Sequence, residues 1–255
     1  MKPDLSDKNY SIPSNILSLA IGIAIIILSL TFGRALQNRN KKITDHLSVT
    51  GGSSRDFVSD LIVWNASFSR KDIELKDAYK ALEEDKTRIK AYLVEKGVPE
   101  AAIIFSAVST QKDFQDINND EGRRISSKFV GYVLQQNVSV ESKEVDKVEI
   151  ISRQITELIN SGIELTSTMP QYFYTQLASL KIQMLEEASK DAKLRAEKIS
   201  SNAGGDLGKL QNSQMGIFQI TAQNSSEGYS YGGAFNTDAK KKTATITVRL
   251  QYQLD

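Results

Sequence analysis

The feature that most constrains this chain is an apolar stretch near its N-terminus, Ile16 to Phe32 (ILSLAIGIAIIILSLTF). A run of about 17 apolar residues lies near the lower limit for a helix that crosses a bilayer. No charged residue occurs between Lys8 and Arg34, so the uncharged flanks extend the span. We therefore predict a single transmembrane anchor over residues 12–33. The anchor residues are Ile16, Leu19, Ile23, Ile26, Leu30 and Phe32.

Two other interpretations of this stretch are a buried core helix and a cleaved signal peptide. A buried core helix usually keeps a polar stripe, which is missing here. A cleaved signal peptide has a net-positive start and a small-x-small cleavage site. In this chain Asp4 and Asp7 offset the two early lysines, and Arg34 directly follows Thr31-Phe32-Gly33. A retained anchor is therefore favoured, and a cleaved signal stays the alternative.

The anchor divides the chain into a short tail (residues 1–11), the anchor (12–33), a basic linker (34–42) and one folded domain (43–255). The linker and its border carry about one more positive charge than the tail. The positive-inside rule would then place the domain in the cytosol, but so small a margin does not decide the orientation.

Composition excludes several classes of function. The chain has 32 Lys and Arg against 31 Asp and Glu, so nothing indicates a nucleic-acid partner. It has no cysteine, which excludes disulfide frameworks, thiolate catalysis and cysteine-based metal sites. Its single histidine, His46, lies just after the linker, where a solvated side chain is the ordinary interpretation.

Periodicity after the linker predicts an α+β fold, a mostly antiparallel sheet covered by helices. The predicted helices are Ile73–Lys96, Val145–Asn160 and Gln176–Ala203. The predicted strands include Phe57–Ser69, Ile103–Thr110, a long and bent Ile125–Val140, a segment around Met215–Ile220, and Lys242–Leu254. Gln111 to Arg124 is predicted to be a polar turn.

Several short motifs, in this order, resemble the SIMPL-domain family of bacterial envelope proteins. They are Leu47-Ser48-Val49-Thr50-Gly51, Val58-Ser59-Asp60-Leu61-Ile62-Val63-Trp64, Lys96-Gly97-Val98-Pro99, Ser127-Lys128-Phe129-Val130-Gly131-Tyr132 and the helix Ala188 to Gly205. The resemblance covers most of Ile43 to Leu254. The tail of the helix motif is more glycine-rich than the family pattern.

The resemblance implies an extracytoplasmic envelope protein, in the periplasm or at the cell surface, that forms symmetric oligomers and has a loose link with stress tolerance. It supplies no catalytic residue. That expectation outweighs the charge bias of the linker, so we place the domain outside the cytosol.

No segment carries a clear chemical signature. Asp116 to Glu121 fails the spacing of a calcium-binding EF-hand loop. Gly204 to Gly208 follows a helix and so cannot cradle a phosphate at a helix start. The runs Glu83-Glu84-Asp85 and Lys240-Lys241-Lys242 are predicted to be solvated, although the lysines would suit anionic headgroups.

The glycine-rich segment Asn224 to Asn236 is predicted to be a mobile hairpin loop. Its aromatic residues Tyr229, Tyr231 and Phe235 suggest a subunit or partner contact, and a plain hairpin tip is the alternative. We therefore expect a non-enzymatic, membrane-anchored protein that needs no cofactor or metal and acts through self-assembly or partner binding, in envelope or oxidative stress tolerance.

The second hypothesis is an extracytoplasmic domain that binds or hydrolyses a small ligand in a cleft of carboxylates and tyrosines, with Asp60 and Tyr132 as candidates. Asp60 interrupts an otherwise apolar strand face. Its side chain either accepts hydrogen bonds from a neighbouring turn or marks such a site.

Overall fold

The computed structural model describes residues 24–34, 46–226 and 232–254. These residues form two compact units, one of residues 49–195 and 213–250, and one of residues 196–212 and 251–254 with the described part of 1–48. The elements are α1 (24–34), β1 (His46–Val58), β2 (Leu61–Asp72), α2 (Leu75–Glu95), β3 (Ile103–Phe105), β4 (Ser109–Asn118), β5 (Arg124–Ser142), α3 (Val145–Gln154), β6 (Glu164–Ser167), β7 (Gln171–Phe173), α4 (Leu177–Ala203), β8 (Leu207–Met215), β9 (Gln219–Ala222) and β10 (Lys241–Leu254).

The predicted α+β class is confirmed, but the strands form two sheets rather than one. The first sheet has the order β1-β10-β8, with β9 antiparallel to β10. The second has the order β3-β5-β2-β6, with β4 on β5 and β7 on β2, and every pairing in it is antiparallel.

The chain passes from the first sheet to the second at Ser59 and Asp60. The Ser59 N–H donates to the carbonyl of Lys240 (2.9 Å), just before β10, and the Asp60 N–H donates to Phe173 in β7 (3.0 Å). The prediction of one strand over Phe57–Ser69 is therefore wrong, because two consecutive backbone donors bond to different sheets. A hydrophobic pattern alone does not reveal such a switch.

The core of the larger unit lies between the second sheet and helices α2 and α3. Trp64 and Phe68 of β2 and Val138 of β5 are at most 1% exposed, and Leu82 and Ile89 of α2 are fully buried beside them. Each such side chain contributes about 1.5–3 kcal/mol by leaving water. The Trp64 indole N–H donates to the Ser167 hydroxyl (3.0 Å), so its one polar atom is satisfied.

Helix α2 forms and ends as its sequence predicts. Its buried residues recur at helical spacing on one side of the helix, and Gly97 follows it with φ = 86°. The Val98 N–H donates to the Leu93 carbonyl (2.9 Å), which closes a glycine-based C-cap, and Pro99 prevents continuation.

Strand β5 is 19 residues long and passes β3 and β4 in succession along one edge, as its length predicted. A bulge separates Asp113 and Phe114 in the pairing of β4 with β5, near Gly131. Gly131 has φ = 138°, and a Cβ there would lie 2.5 Å from the Asp72 carbonyl oxygen. Only glycine fits this bend.

The predicted polar turn over Gln111–Arg124 is too long. Strand β4 continues to Asn118, and the turn proper spans residues 119–123, where the Asn119 side chain accepts the Arg123 N–H (2.8 Å). The side chains of β4 are exposed on both faces except for the half-buried Asp113, so the strand lacks the apolar alternation by which strands are recognised.

Helix α4 packs closely on β1. A Cβ on Gly51 would lie 2.3 Å from the carbonyl oxygen of Ala188 and 2.3 Å from the backbone nitrogen of Ala192. The Gly52 N–H donates to Asp191 (2.9 Å), and Arg55 pairs with Glu187. The small alanines on this face of α4 therefore meet a strand residue without a side chain.

Helix α1 covers the end of the predicted anchor. Ile26, Leu30 and Phe32 are between 59% and 65% exposed, and the Thr31 hydroxyl donates to the Ile27 carbonyl (2.9 Å). Residues 12–23 of the predicted anchor, with Ile16, Leu19 and Ile23, lie outside the described residues. Within the described ranges, no helix has both the length and the hydropathy that a bilayer crossing requires.

Candidate functional site

The most unusual polar group of the larger unit is the ammonium of Lys242, near the start of β10. Lys242 is only 3% exposed. Its Nζ donates a hydrogen bond to the backbone carbonyl of Tyr172 in β7, and its backbone pairs with Ala222 of β9. Lysine is almost never buried this deeply unless it is paired, so this position calls for an explanation.

Strand alternation places Lys242 inside. Ala244, Ile246 and Val248 are buried on the same face of β10 and fix its register. Lys242 is two residues before Ala244 and therefore shares that face. The prediction that Lys240-Lys241-Lys242 is a solvated run is wrong for Lys242, although Lys241 is exposed.

The same prediction is also wrong for Lys240. Its ammonium pairs with Asp146 and with Glu149 (3.2 Å) of α3, and the side chain is 25% exposed. The two carboxylates raise the pKa of Lys240 above its usual value, with the Asp146 hydrogen bond as the largest cause. Three consecutive lysines thus occupy three different environments.

Lys242 forms part of the wall of a cavity of ≈ 170 Å³. The other walls come from β1, from the segment around β7, from the start of α4, from β9 and from the segment before β10. Most of the lining residues are aromatic or aliphatic, namely Phe57, Tyr172, Phe173, Tyr174, Leu177, Ile220 and Phe235. The rings of Phe57 and Tyr174 pack against each other with centroids 4.8 Å apart.

The apolar walls change the acid–base properties of the site. Removal from water lowers the pKa of the Lys242 ammonium, and the negative charge of Asp238 opposes that shift. The cavity therefore combines aromatic surface with one cation whose charge is costly to keep, a combination suited to a ligand with a ring and a negative group.

The predicted partner-contact loop is described only in part. Phe235 lines this cavity, is 58% exposed, and has its ring 6.2 Å from that of Phe218. Tyr229 and Tyr231 lie outside the described residues. The structure thus connects one of the three predicted contact residues with Lys242, which the sequence did not single out.

The two residues suggested for a polar cleft are not brought together. Asp60 immediately precedes β2, whereas Tyr132 is paired with Asp72 at the far end of that strand. The twelve residue steps from Asp60 to Asp72 correspond to roughly 40 Å of strand. Asp60 instead accepts hydrogen bonds from the Thr175 N–H (2.7 Å) and hydroxyl (2.6 Å), which confirms the turn-bonding role. His46 begins β1 and is exposed.

Asp85 also departs from its prediction as a solvated carboxylate. It is 1% exposed and accepts two hydrogen bonds from the guanidinium of Arg70 in β2, one of them from Nη2 at 2.7 Å. The Asp85 hydrogen bond raises the pKa of Arg70 further. This pair fastens α2 to the second sheet.

A second surface feature is the ribbon that β4 and β5 form beyond the end of β2. Pairing of β5 with β2 ends at Tyr132, and the residues before it pair with β4 alone among the described strands. We call residues 114–129 the arm. Its Phe114 and Phe129 rings are 5.7 Å apart and are 51% and 37% exposed, and Ile125 is 64% exposed. Exposed apolar side chains of this kind indicate an interaction surface.

The family model described as SIMPL, protein of unknown function (DUF541), matches residues 47–253. The chain belongs to the SIMPL family. Its resemblance to that family, carried by short motifs, is confirmed. No curated protein matches the chain.

The structure explains two of the SIMPL motifs in this chain. The glycine of Val49-Thr50-Gly51 allows the backbone of α4 to contact β1, and Ala188, Asp191 and Ala192 are the residues of α4 that meet this glycine and Gly52. These segments, far apart in sequence, form one contact of the SIMPL domain. Their role here is packing.

Proposed function

We propose that this SIMPL-family chain is a non-enzymatic, membrane-tethered envelope protein that acts by self-assembly through the arm. The observation that carries the proposal is the arm itself, a two-stranded ribbon that displays Phe114, Ile125 and Phe129 to solvent. An isolated two-stranded hairpin is only marginally stable in water. Burial of this surface in an interface would both stabilise the arm and cover its apolar side chains.

The properties of the arm favour a second copy of the chain as its binding partner. Residues 109–131 contain four acidic residues, Asp113, Asp116, Asp120 and Glu121, and four basic residues, Lys112, Arg123, Arg124 and Lys128. Two identical arms would therefore meet without net repulsion. The outer edge of β4 has no partner among the described strands, so its backbone can pair with the same edge of another copy.

The tether rests on the N-terminal apolar stretch and on α1. The side chains of Ile25 to Leu28 are at least 56% exposed. The Thr31 hydroxyl bonds to the carbonyl four residues earlier, so this polar group needs no water, as a lipid environment requires. The family resemblance and the lack of cysteine favour an extracytoplasmic domain, in the periplasm or at the cell surface, and a role in stress tolerance.

Sedimentation of the detergent-solubilised full-length chain tests the assembly. We expect an oligomer for the native sequence and a shift toward monomer when Phe114 and Phe129 are both replaced by serine. Ile182→Ser is the matched control, because Ile182 is 69% exposed on α4, an element that is not part of the arm. A native chain that is monomeric at all concentrations, or a control that dissociates equally, would refute the proposal.

Alkaline carbonate extraction of cell membranes tests the tether, and protease treatment of intact cells tests the orientation. We expect the chain to stay with the membrane pellet at high pH, and a chain lacking residues 12–33 to become soluble. In intact cells with a permeabilised outer layer, protease should reach the domain. Release of the full-length chain by carbonate, or full protection from protease, would contradict this arrangement.

A further inference from the structure

The cavity beside Lys242 has the dimensions of a single-ring ligand site. Its volume is ≈ 170 Å³. An engineered apolar cavity of about 150 Å³ in another protein binds benzene. The cavity of this chain therefore accommodates one six-membered ring with a short substituent.

The walls select for an aromatic ring. The packed rings of Phe57 and Tyr174 contribute aromatic surface, and Leu177 and Ile220 contribute aliphatic surface. Rings that enter such a site pack edge-to-face or offset against the wall rings, which adds to the stabilisation that comes from burial of apolar area.

The charge in the wall selects for an anion. Hydrogen bonding to the Tyr172 carbonyl uses one of the three N–H donors of the Lys242 ammonium. No salt bridge within the described part of the chain includes Lys242. Asp238 acts on it only through its field. A buried cation of this kind is stabilised by a carboxylate that both supplies the opposite charge and accepts its remaining donors.

We propose that the cavity formed by β1, β7, β9 and the start of β10 binds a small aromatic carboxylate, with the ring beside Phe57 and Tyr174 and the carboxylate on Lys242 Nζ. The site is distinct from the arm, so it operates whether or not the chain assembles. It also gives Phe235 a role, since that residue forms part of the same wall.

Titration calorimetry of the full-length chain in detergent provides the test, with benzoate as the anionic probe and benzyl alcohol as its neutral counterpart. We expect benzoate to bind the native chain at least tenfold more tightly than benzyl alcohol. Lys242→Met should reverse this preference, because the ammonium is lost while an apolar side chain of similar length remains. Lys241→Met, at the exposed neighbouring position, should leave both affinities unchanged.

The preference between the two probes separates loss of charge from loss of fold. A Lys242→Met protein that binds benzyl alcohol but has lost benzoate supports the site, since its cavity is still formed. Equal benzoate affinity in the native chain and in Lys242→Met would overturn the proposal, and so would binding of neither probe to the native chain. Sedimentation of the same samples reports separately on assembly.

Discussion

Gly51 and Ala188 are in contact through their backbones, and a methyl group on Gly51 would lie 2.3 Å from the Ala188 carbonyl oxygen. This approach joins β1 to α4 and leaves no room for any side chain. The neighbouring Gly52 is different, because a Cβ there would meet its nearest atom, the Ile246 carbonyl oxygen, at 3.7 Å. Replacement of these two adjacent glycines by alanine should therefore have different effects on stability.

Gly51→Ala should destabilise the domain by about 1–3 kcal/mol or more, because backbone atoms of α4 must move to admit the methyl group. Gly52→Ala should be neutral, or stabilising by up to about 1 kcal/mol, since it only restricts the unfolded chain. Urea denaturation of the full-length protein, followed by the fluorescence of Trp64, measures both. Equal stability of the two variants would show that the close contact is not formed.

Removal of either partner of the buried pair Arg70–Asp85 should destabilise the domain, but by different amounts. Arg70→Met should cost about 3–5 kcal/mol, because it leaves the carboxylate of Asp85, which is 1% exposed, without its partner. Asp85→Leu should cost less, because the Arg70 side chain is 28% exposed and can reach water. The double variant should be more stable than Arg70→Met alone.

A double-mutant cycle by urea denaturation measures this coupling. Lys190→Met provides the control, since Lys190 and Glu186 form an exposed ion pair that should contribute less than about 1 kcal/mol. Additive effects of the Arg70 and Asp85 substitutions would contradict the direct pairing of the two side chains.

Lys242 predicts a pH dependence of stability with a defined sign. Burial lowers its pKa in the folded state below the ordinary value of 10.5, so in that range the unfolded chain binds more protons than the folded chain. The charged Lys242 therefore lowers the free energy of unfolding at lower pH. This loss is recovered as pH rises from the lowered pKa toward 10.5.

Denaturation of the native chain and of Lys242→Met between pH 7 and 10 measures this effect. The native chain should gain stability relative to Lys242→Met as pH rises. Contributions from the tyrosines, including Tyr172 with its raised pKa, cancel in this difference to the extent that they are common to both proteins. Lys241→Met should follow the native profile, and parallel profiles for all three proteins would contradict the burial of a chargeable Lys242.

The sequence predicted those parts of the fold that local patterns encode. Helix α2, its end at Gly97 and the alternation in β10 follow from periodicity and from glycine. Most of strand β4 was not predicted, because the strand has no buried face. The switch between sheets at Ser59 was not predicted either, because it depends on hydrogen-bond partners that are remote in sequence. These features are determined by tertiary contacts, which a pattern does not contain.

The sequence analysis did not identify the candidate site, because the charge of the lysine run indicated exposure while the alternation of β10 indicates that Lys242 is buried. A run of three lysines suggests a solvated segment, yet Lys242 is in phase with the buried Ala244 and Ile246. Extending the alternation of β10 by one step would have placed it inside. The aromatic walls come from β1, β7 and β9, so no local pattern could have assembled them.

Because the chain has no cysteine, single introduced cysteines report directly on whether arms of two copies meet in the membrane. Cysteine is placed singly at Gln115, Ile117 or Ser126 of the arm and, as the control, at Ile182 of α4, and isolated membranes are then oxidised. In a symmetric contact the same residue approaches its counterpart, so a disulfide-linked dimer forms only where the two copies come close. We predict covalent dimers from at least one arm position and none above background from Ile182→Cys. Failure of all three arm positions to exceed the control would contradict self-assembly through the arm.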